Sequence, residues 1–171
     1  MARRDAARVT ALFGLLWLVI ASWSLATARY GGPDEPAHVL RAASVARGDV
    51  VGDPIDWLPP GYRMVTVAAG LTTGDPTCYR HNAALPATCA HADPAATGLG
   101  EAGSSAGTYP PYSYALVGLP ARLVGGGGSV LAHRVIAAAW CAAILAVAFW
   151  RARRIAGPLL ITAVMPAAWF L

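Results

Sequence analysis

The sequence predicts an all-α, polytopic helical membrane protein with a long extracytoplasmic loop, and three observations predict it. Of 171 residues, 56% are hydrophobic and only 13% are charged, where an ordinary soluble domain carries about 25% charge. Two apolar runs, residues 9–28 and 135–150, contain no charged side chain. The charges are also sorted along the chain. Arg3, Arg4 and Arg8 precede the first run, Arg151, Arg153 and Arg154 follow the second, and eight of the nine acidic residues lie between. That is the positive-inside pattern, and it puts the N-terminus in the cytoplasm of a multi-pass cell-membrane protein. The formal charge of +4 therefore reflects topology. Membrane lipid is the expected partner, and nucleic acid is not.

Residues 1–8 form the cytoplasmic N-terminus and residues 9–28 the first transmembrane helix. Its twenty uncharged residues span roughly 30 Å, the thickness of the hydrocarbon core. Trp17 and Trp23 lie inside it, and Arg29-Tyr30 stand at its outer end as interface anchors. Ala26-Thr27-Ala28 has the form of a signal-peptidase site, so a cleaved leader is the rival reading. Either way the following segment is exported. Residues 129–150 form the second span, which places His133 and Arg134 in its outer turns. A charge there faces protein or water, or snorkels to the headgroups. Residues 151–154 make a cytoplasmic turn. Residues 155–171 begin a third span, with Pro158 and Pro166 tolerated as in other membrane helices. That run stops without a polar cap, so the sequence reads as the N-terminal part of a longer protein.

The loop, residues 29–128, is far longer than a simple connection. Its first part, 34–47, reads as a helix: Asp34 or Glu35 suits the N-cap, Pro36 the first turn and Gly48 the stop. The middle, 50–107, is irregular. Residues 64–71 fit a strand or a short helix equally, and 93–107 read as a small-residue linker without structure. Cys78 and Cys89 flank a short loop in an oxidising compartment, which favours a disulfide. A metal pair with His81 and His91 is the competing reading. Cys141, in the second span, reads as a small buried apolar residue. Tyr109-Pro110-Pro111-Tyr112-Ser113-Tyr114 then leads into an apolar stretch with Arg122, an interfacial segment followed by a hinge of four glycines, 125–128.

The chemistry-bearing residues gather just after the first span, in Pro33-Asp34-Glu35-Pro36-Ala37-His38. Acids at a helix N-terminus have an ordinary explanation in capping and the macrodipole. The functional alternative is a carboxylate pair, Asp34 and Glu35, acting as general base or holding a divalent cation, Mg or Mn. Asp34, His38 and Arg41 fall on one helix face at i, i+4, i+7. His38 is a third ligand or orients a carboxylate, or is simply solvated. Arg41 pairs with Asp34 or meets a phosphate. Arg134 is a second phosphate candidate, and Tyr109 and Tyr112 form an aromatic belt or a substrate wall.

The order of these features is similar to that of a family of bacterial multi-spanning proteins, common in actinobacteria, that carries a domain-of-unknown-function label. The match rests on the basic N-terminus, one span, Pro33-Asp34-Glu35-Pro36-Ala37-His38 with Arg41 and Gly48, the long loop and Tyr109-Pro110-Pro111-Tyr112-Ser113-Tyr114. That family in turn resembles the C-type (GT-C) glycosyltransferases, which are helical, polytopic and use polyprenyl-phosphate sugars. The resemblance implies the N-terminal part of a GT-C-like fold, and sugar transfer from a polyprenyl-phosphate donor in cell-envelope assembly. It implies Asp34 as base with Glu35 assisting, and Arg134 or Arg41 meeting the departing phosphate. A non-catalytic scaffold or transporter component, with a partner-binding outer loop, is the alternative function.

Overall fold

The computed structural model describes residues 3–72, 75–79, 82, 84–90, 96–124 and 126–152. The expected third span at 155–171 lies outside the described residues, as do His81 and His91. The chain divides into two compact units, residues 28–133 and the flanking segments 1–27 with 134–171.

In the flanking unit, α1 (Arg3–Ala26) covers most of the first apolar run. Helix α5 (Gly126–Ala152) covers the second and crosses the unit boundary at residue 133. Over Arg3–Ala26 and Gly128–Ala152 both are long and apolar enough to cross a membrane. No residue of α1 is buried, and Leu15, Leu18, Val19 and Trp23 are all exposed. Such a surface is unfavourable in water and suited to lipid. On α5, Ala138, Ala142 and Ala146 recur every four residues as a buried stripe, the small-residue face by which membrane helices pack closely. Trp17 donates its Nε1–H to the Val135 carbonyl at 3.2 Å. Arg134 donates through Nη1 to the carbonyls of Ser24 (2.6 Å) and Thr27 (2.8 Å). The last carbonyls of a helix lack partners within it, and a cation is favoured at that pole. Arg134 thus closes the end of α1.

The central unit is built around α2 (Glu35–Arg47). Gly48 ends it in the left-handed conformation (φ 95), its N–H donating to the Ser44 and Val45 carbonyls. Only glycine adopts that conformation without strain. Val39, Arg41, Ala42, Ala43, Ser44 and Val45 are all buried, so the middle of this helix is enclosed on several sides. A three-stranded antiparallel sheet covers one side, in the order β1 (Asp53–Pro54), β2 (Arg63–Ala68), β3 (Leu99–Ser104). Two short helices, α3 (Pro111–Val117) and α4 (Pro120–Leu123), also pack on α2.

This sheet corrects the all-α expectation. Strand β2 has the period-two signature, with Val65 and Val67 buried between half-buried neighbours. A 3-10 turn, Ala69–Leu71, follows it directly, so strand and short helix both occur within the stretch that the sequence left undecided. Strand β3 falls in the stretch read as linker. It pairs along its length with β2, Arg63 opposite Ser104 and Ala68 opposite Leu99. Its small side chains make that possible: a Cβ on Gly100 would meet the Thr72 side chain at 2.8 Å. Ser104, fully buried, donates from Oγ to the Ala37 carbonyl at 2.8 Å and so fastens the sheet to α2.

The core holds Tyr30, Val39, Ala43, Val65, Val67, Leu71, Ala90, Ala121 and Val130. Tyr30, read from the sequence as an interface anchor, is instead part of this core. Cys78 and Cys89 form a disulfide with Cα atoms 6.2 Å apart, and Cys78 and Tyr79 pack on the core's edge. The metal-pair reading of these cysteines is thereby replaced.

Candidate functional site

The start of α2 exposes the acidic motif. Asp34 occupies the N-cap position, yet its side chain makes no capping hydrogen bond, and the residue is exposed. The capping part of the ordinary explanation is therefore not realised by its carboxylate, which keeps only its place at the positive pole of the helix. Glu35 does take up a backbone donor: its Oε2 accepts from the Gly32 N–H at 3.3 Å. The two adjacent acids thus differ, one bracing the turn and the other open to solvent.

One turn on, His38 sits against two tyrosines. Its ring is stacked on Tyr114 (centroids 5.9 Å apart, planes at 10°) and tilted against Tyr109 (5.8 Å). His38 Nδ1 and the Tyr114 hydroxyl lie 2.6 Å apart. Burial raises the Tyr114 pKa, with Tyr109 adding to the shift and Arg41 opposing it. A protonated phenol both donates and accepts, so the bond forms with either tautomer of the ring, and Nδ1 is the nitrogen it engages. Helix α3 positions Tyr114: Pro110 and Pro111 start it, and Gly118 lets it lie against α2. A Cβ on Gly118 would collide with the Ala42 carbonyl oxygen.

Arg41 stands elsewhere than the sequence suggested. It is 2% exposed, and it donates through Nη1 to the Val50 carbonyl (2.7 Å) and through Nη2 to the Tyr109 carbonyl (2.9 Å). Burial lowers its pKa, while Tyr114 and Asp49 raise it. Asp49 accepts from the Gly52 N–H at 3.0 Å and the Thr66 N–H at 2.8 Å. Arg41 therefore ties two loops to α2, pairs with no Asp34 carboxylate and is closed to a substrate phosphate. Arg134, on the α1 carbonyls, is likewise engaged. Tyr109 and Tyr112 are separated in role: Tyr109 borders His38, whereas Tyr112 is 85% exposed and turns to the surroundings.

Among the described residues, no three His, Cys, Asp or Glu side chains gather so as to hold a metal ion. His38 instead directs Nδ1 to a phenol. Sequence reasoning missed Tyr114 as a partner of His38, and its place in the Tyr-Pro-Pro-Tyr-Ser-Tyr motif was the one available signal. It placed His133 only in the outer turns of the second span; the residue is 3% exposed, and its ring nitrogens meet no hydrogen-bonding side chain among the described residues.

The arrangement offers an exposed carboxylate, an imidazole whose Nε2 meets no described partner and an aromatic wall. Such a set can accept a proton from a hydroxyl and orient a polar, ring-shaped ligand. No curated protein and no solved structure matches this chain. The family described as "Predicted membrane protein (DUF2142)" matches residues 15–171, and with nearly all of its length so matched the chain belongs to that family.

Proposed function

We propose that this chain is the N-terminal part of a multi-pass, GT-C-like glycosyltransferase of cell-envelope assembly. In this reading residues 29–128 face the extracytoplasmic side, and the donor is a polyprenyl-phosphate sugar. The observation that carries it is the Asp34 carboxylate: exposed, without a capping bond, and eight residues beyond the end of α1. Eight residues reach at most about 28 Å, so a base there remains near a lipid-anchored donor.

Asp34 takes the proton of the acceptor hydroxyl. The acceptor oxygen forms its bond to the anomeric carbon as the bond from that carbon to the phosphate oxygen breaks, and polyprenyl phosphate departs with the electron pair. The proton passes from Asp34 to water. Glu35 fixes the Gly31-Gly32 turn that presents Asp34, as its bond to the Gly32 N–H supports. His38 offers Nε2 as a hydrogen-bond partner to a sugar hydroxyl, and Tyr109 gives the ring a surface to lie on. A divalent cation would be held by Asp34 and Glu35 together with ligand oxygens, since among the described residues no third His, Cys, Asp or Glu gathers with them.

The test uses proteoliposomes of the full-length protein and a panel of polyprenyl-phosphoryl hexoses, with release of polyprenyl phosphate as the readout. Wild type releases it, and Asp34→Asn loses at least about a hundredfold, the scale of a general-base contribution. Undiminished release by Asp34→Asn would exclude the assignment.

A further inference from the structure

The far end of α2 holds a second site. Arg47, in the last turn of α2, and Arg122, on α4, line one pocket of about 490 Å³ together with Asp49, Thr66 and Leu99. Both arginines are exposed, and neither guanidinium makes a hydrogen bond or ion pair with a described residue. Among the described residues Asp49 is the one acid lining the pocket, and both its oxygens accept backbone N–H groups. In the lining two guanidinium groups thus outnumber one carboxylate, and Glu101, opposite Thr66 on β3, is the next acid on that face of the sheet. The carbonyl pole of α2 disfavours an anion there, but by less than one formal charge.

The same segment presents an apolar stripe. The backbone stays helical from α3 through Gly118 and Leu119 into α4. Tyr112, Leu116, Leu119 and Leu123 are therefore spaced i, i+4, i+7, i+11 on one face, and all four are exposed. The opposite face, with Gly118 and Ala121, is buried. Ala121 shares the core with Val130, the third residue of the apolar span Gly128–Ala152. The stripe is thus fixed beside the start of a membrane-length helix, with Arg122 at its edge.

We propose that the pocket and stripe together bind an anionic membrane lipid by its phosphate headgroup. The α3–α4 face buries Leu116, Leu119 and Leu123 at the acyl boundary, as interfacial helices do. Arg47 and Arg122 take the phosphate oxygens in charge-assisted hydrogen bonds, the chemistry for which paired guanidinium groups are best suited. Asp34 lies thirteen residues away along α2, roughly 20 Å. The site is therefore distinct from the acidic motif and does not rest on the transferase reading.

The test is ligand binding to the purified full-length protein in detergent micelles, with dioctanoyl phosphatidylglycerol, dioctanoyl phosphatidylcholine and inorganic phosphate as probes. Phosphatidylglycerol is expected to bind at least about tenfold more tightly than phosphatidylcholine. The double variant Arg47→Gln/Arg122→Gln is expected to remove that preference without changing the thermal midpoint, since both side chains are exposed and unpaired. Leu119→Ser/Leu123→Ser should weaken the lipid alone. Retention of the preference by the double arginine variant overturns the proposal. So does inorganic phosphate displacing phosphatidylglycerol at equal concentration, because the pocket would then serve a soluble phosphate.

Discussion

The middle and the start of α2 make opposite use of their polar groups. Around Arg41 they serve the fold: the guanidinium is buried and, through its two terminal nitrogens, holds the Val50 and Tyr109 carbonyls, and Asp49 holds two backbone N–H groups. At the helix start the Asp34 carboxylate makes no capping bond, and His38 keeps Nε2 free of described partners while Nδ1 meets Tyr114. The middle of the helix carries stability. Its start presents groups that the fold does not use, and such groups are where chemistry is to be sought. The difference also explains why charge alone is a poor guide here. Arg41 and Arg134, the two arginines placed best in sequence to meet a phosphate, both hold backbone carbonyls.

Substitutions can break this contrast, and the largest effect belongs to the middle of the helix. Arg41→Ala leaves two carbonyls without donors and opens a buried volume, a loss of about 3 kcal/mol. Its thermal midpoint in detergent should fall steeply, with reduced membrane levels. Gly118→Ala forces a Cβ onto the Ala42 carbonyl, and overpacking of this kind costs about 2 kcal/mol. A matching drop in midpoint, together with faster proteolysis within 105–124, would locate that strain in α3. Tyr114→Phe removes one hydrogen bond to a partly buried ring, worth about 1 kcal/mol. On the transferase reading it should depress turnover more than stability, because His38 then loses the hydrogen bond that orients its ring.

Parts of this architecture were legible in the sequence for definite reasons. Helix α2 announces itself through Pro36 near its start and Gly48 at its stop, two residues whose backbone preferences are local. The two membrane-length helices follow from charge-free length alone. Strand β3 was hidden: Leu99–Ser104 has neither alternation nor β-branched residues, and it becomes a strand only because β2 offers it a ladder and its glycines permit close approach. The pairing of His38 with Tyr114 spans 76 positions, and no local pattern encodes it. The engagement of Arg41 and Arg134 was equally invisible, since their partners are backbone carbonyls that any residue type supplies. The contrast between Asp34 and Glu35 depends on which carboxylate folds back to Gly32, which side-chain geometry alone decides.

The account turns on the Asp34 carboxylate being dispensable to the fold. Asp34→Asn in the full-length protein, measured for thermal midpoint and for release of polyprenyl phosphate side by side, tests that most directly. The expected result is a stability change within about 0.5 kcal/mol, as for a surface substitution, accompanied by loss of transfer. A fall in midpoint comparable to that of Arg41→Ala, with any loss of transfer merely tracking the loss of folded protein, would contradict it.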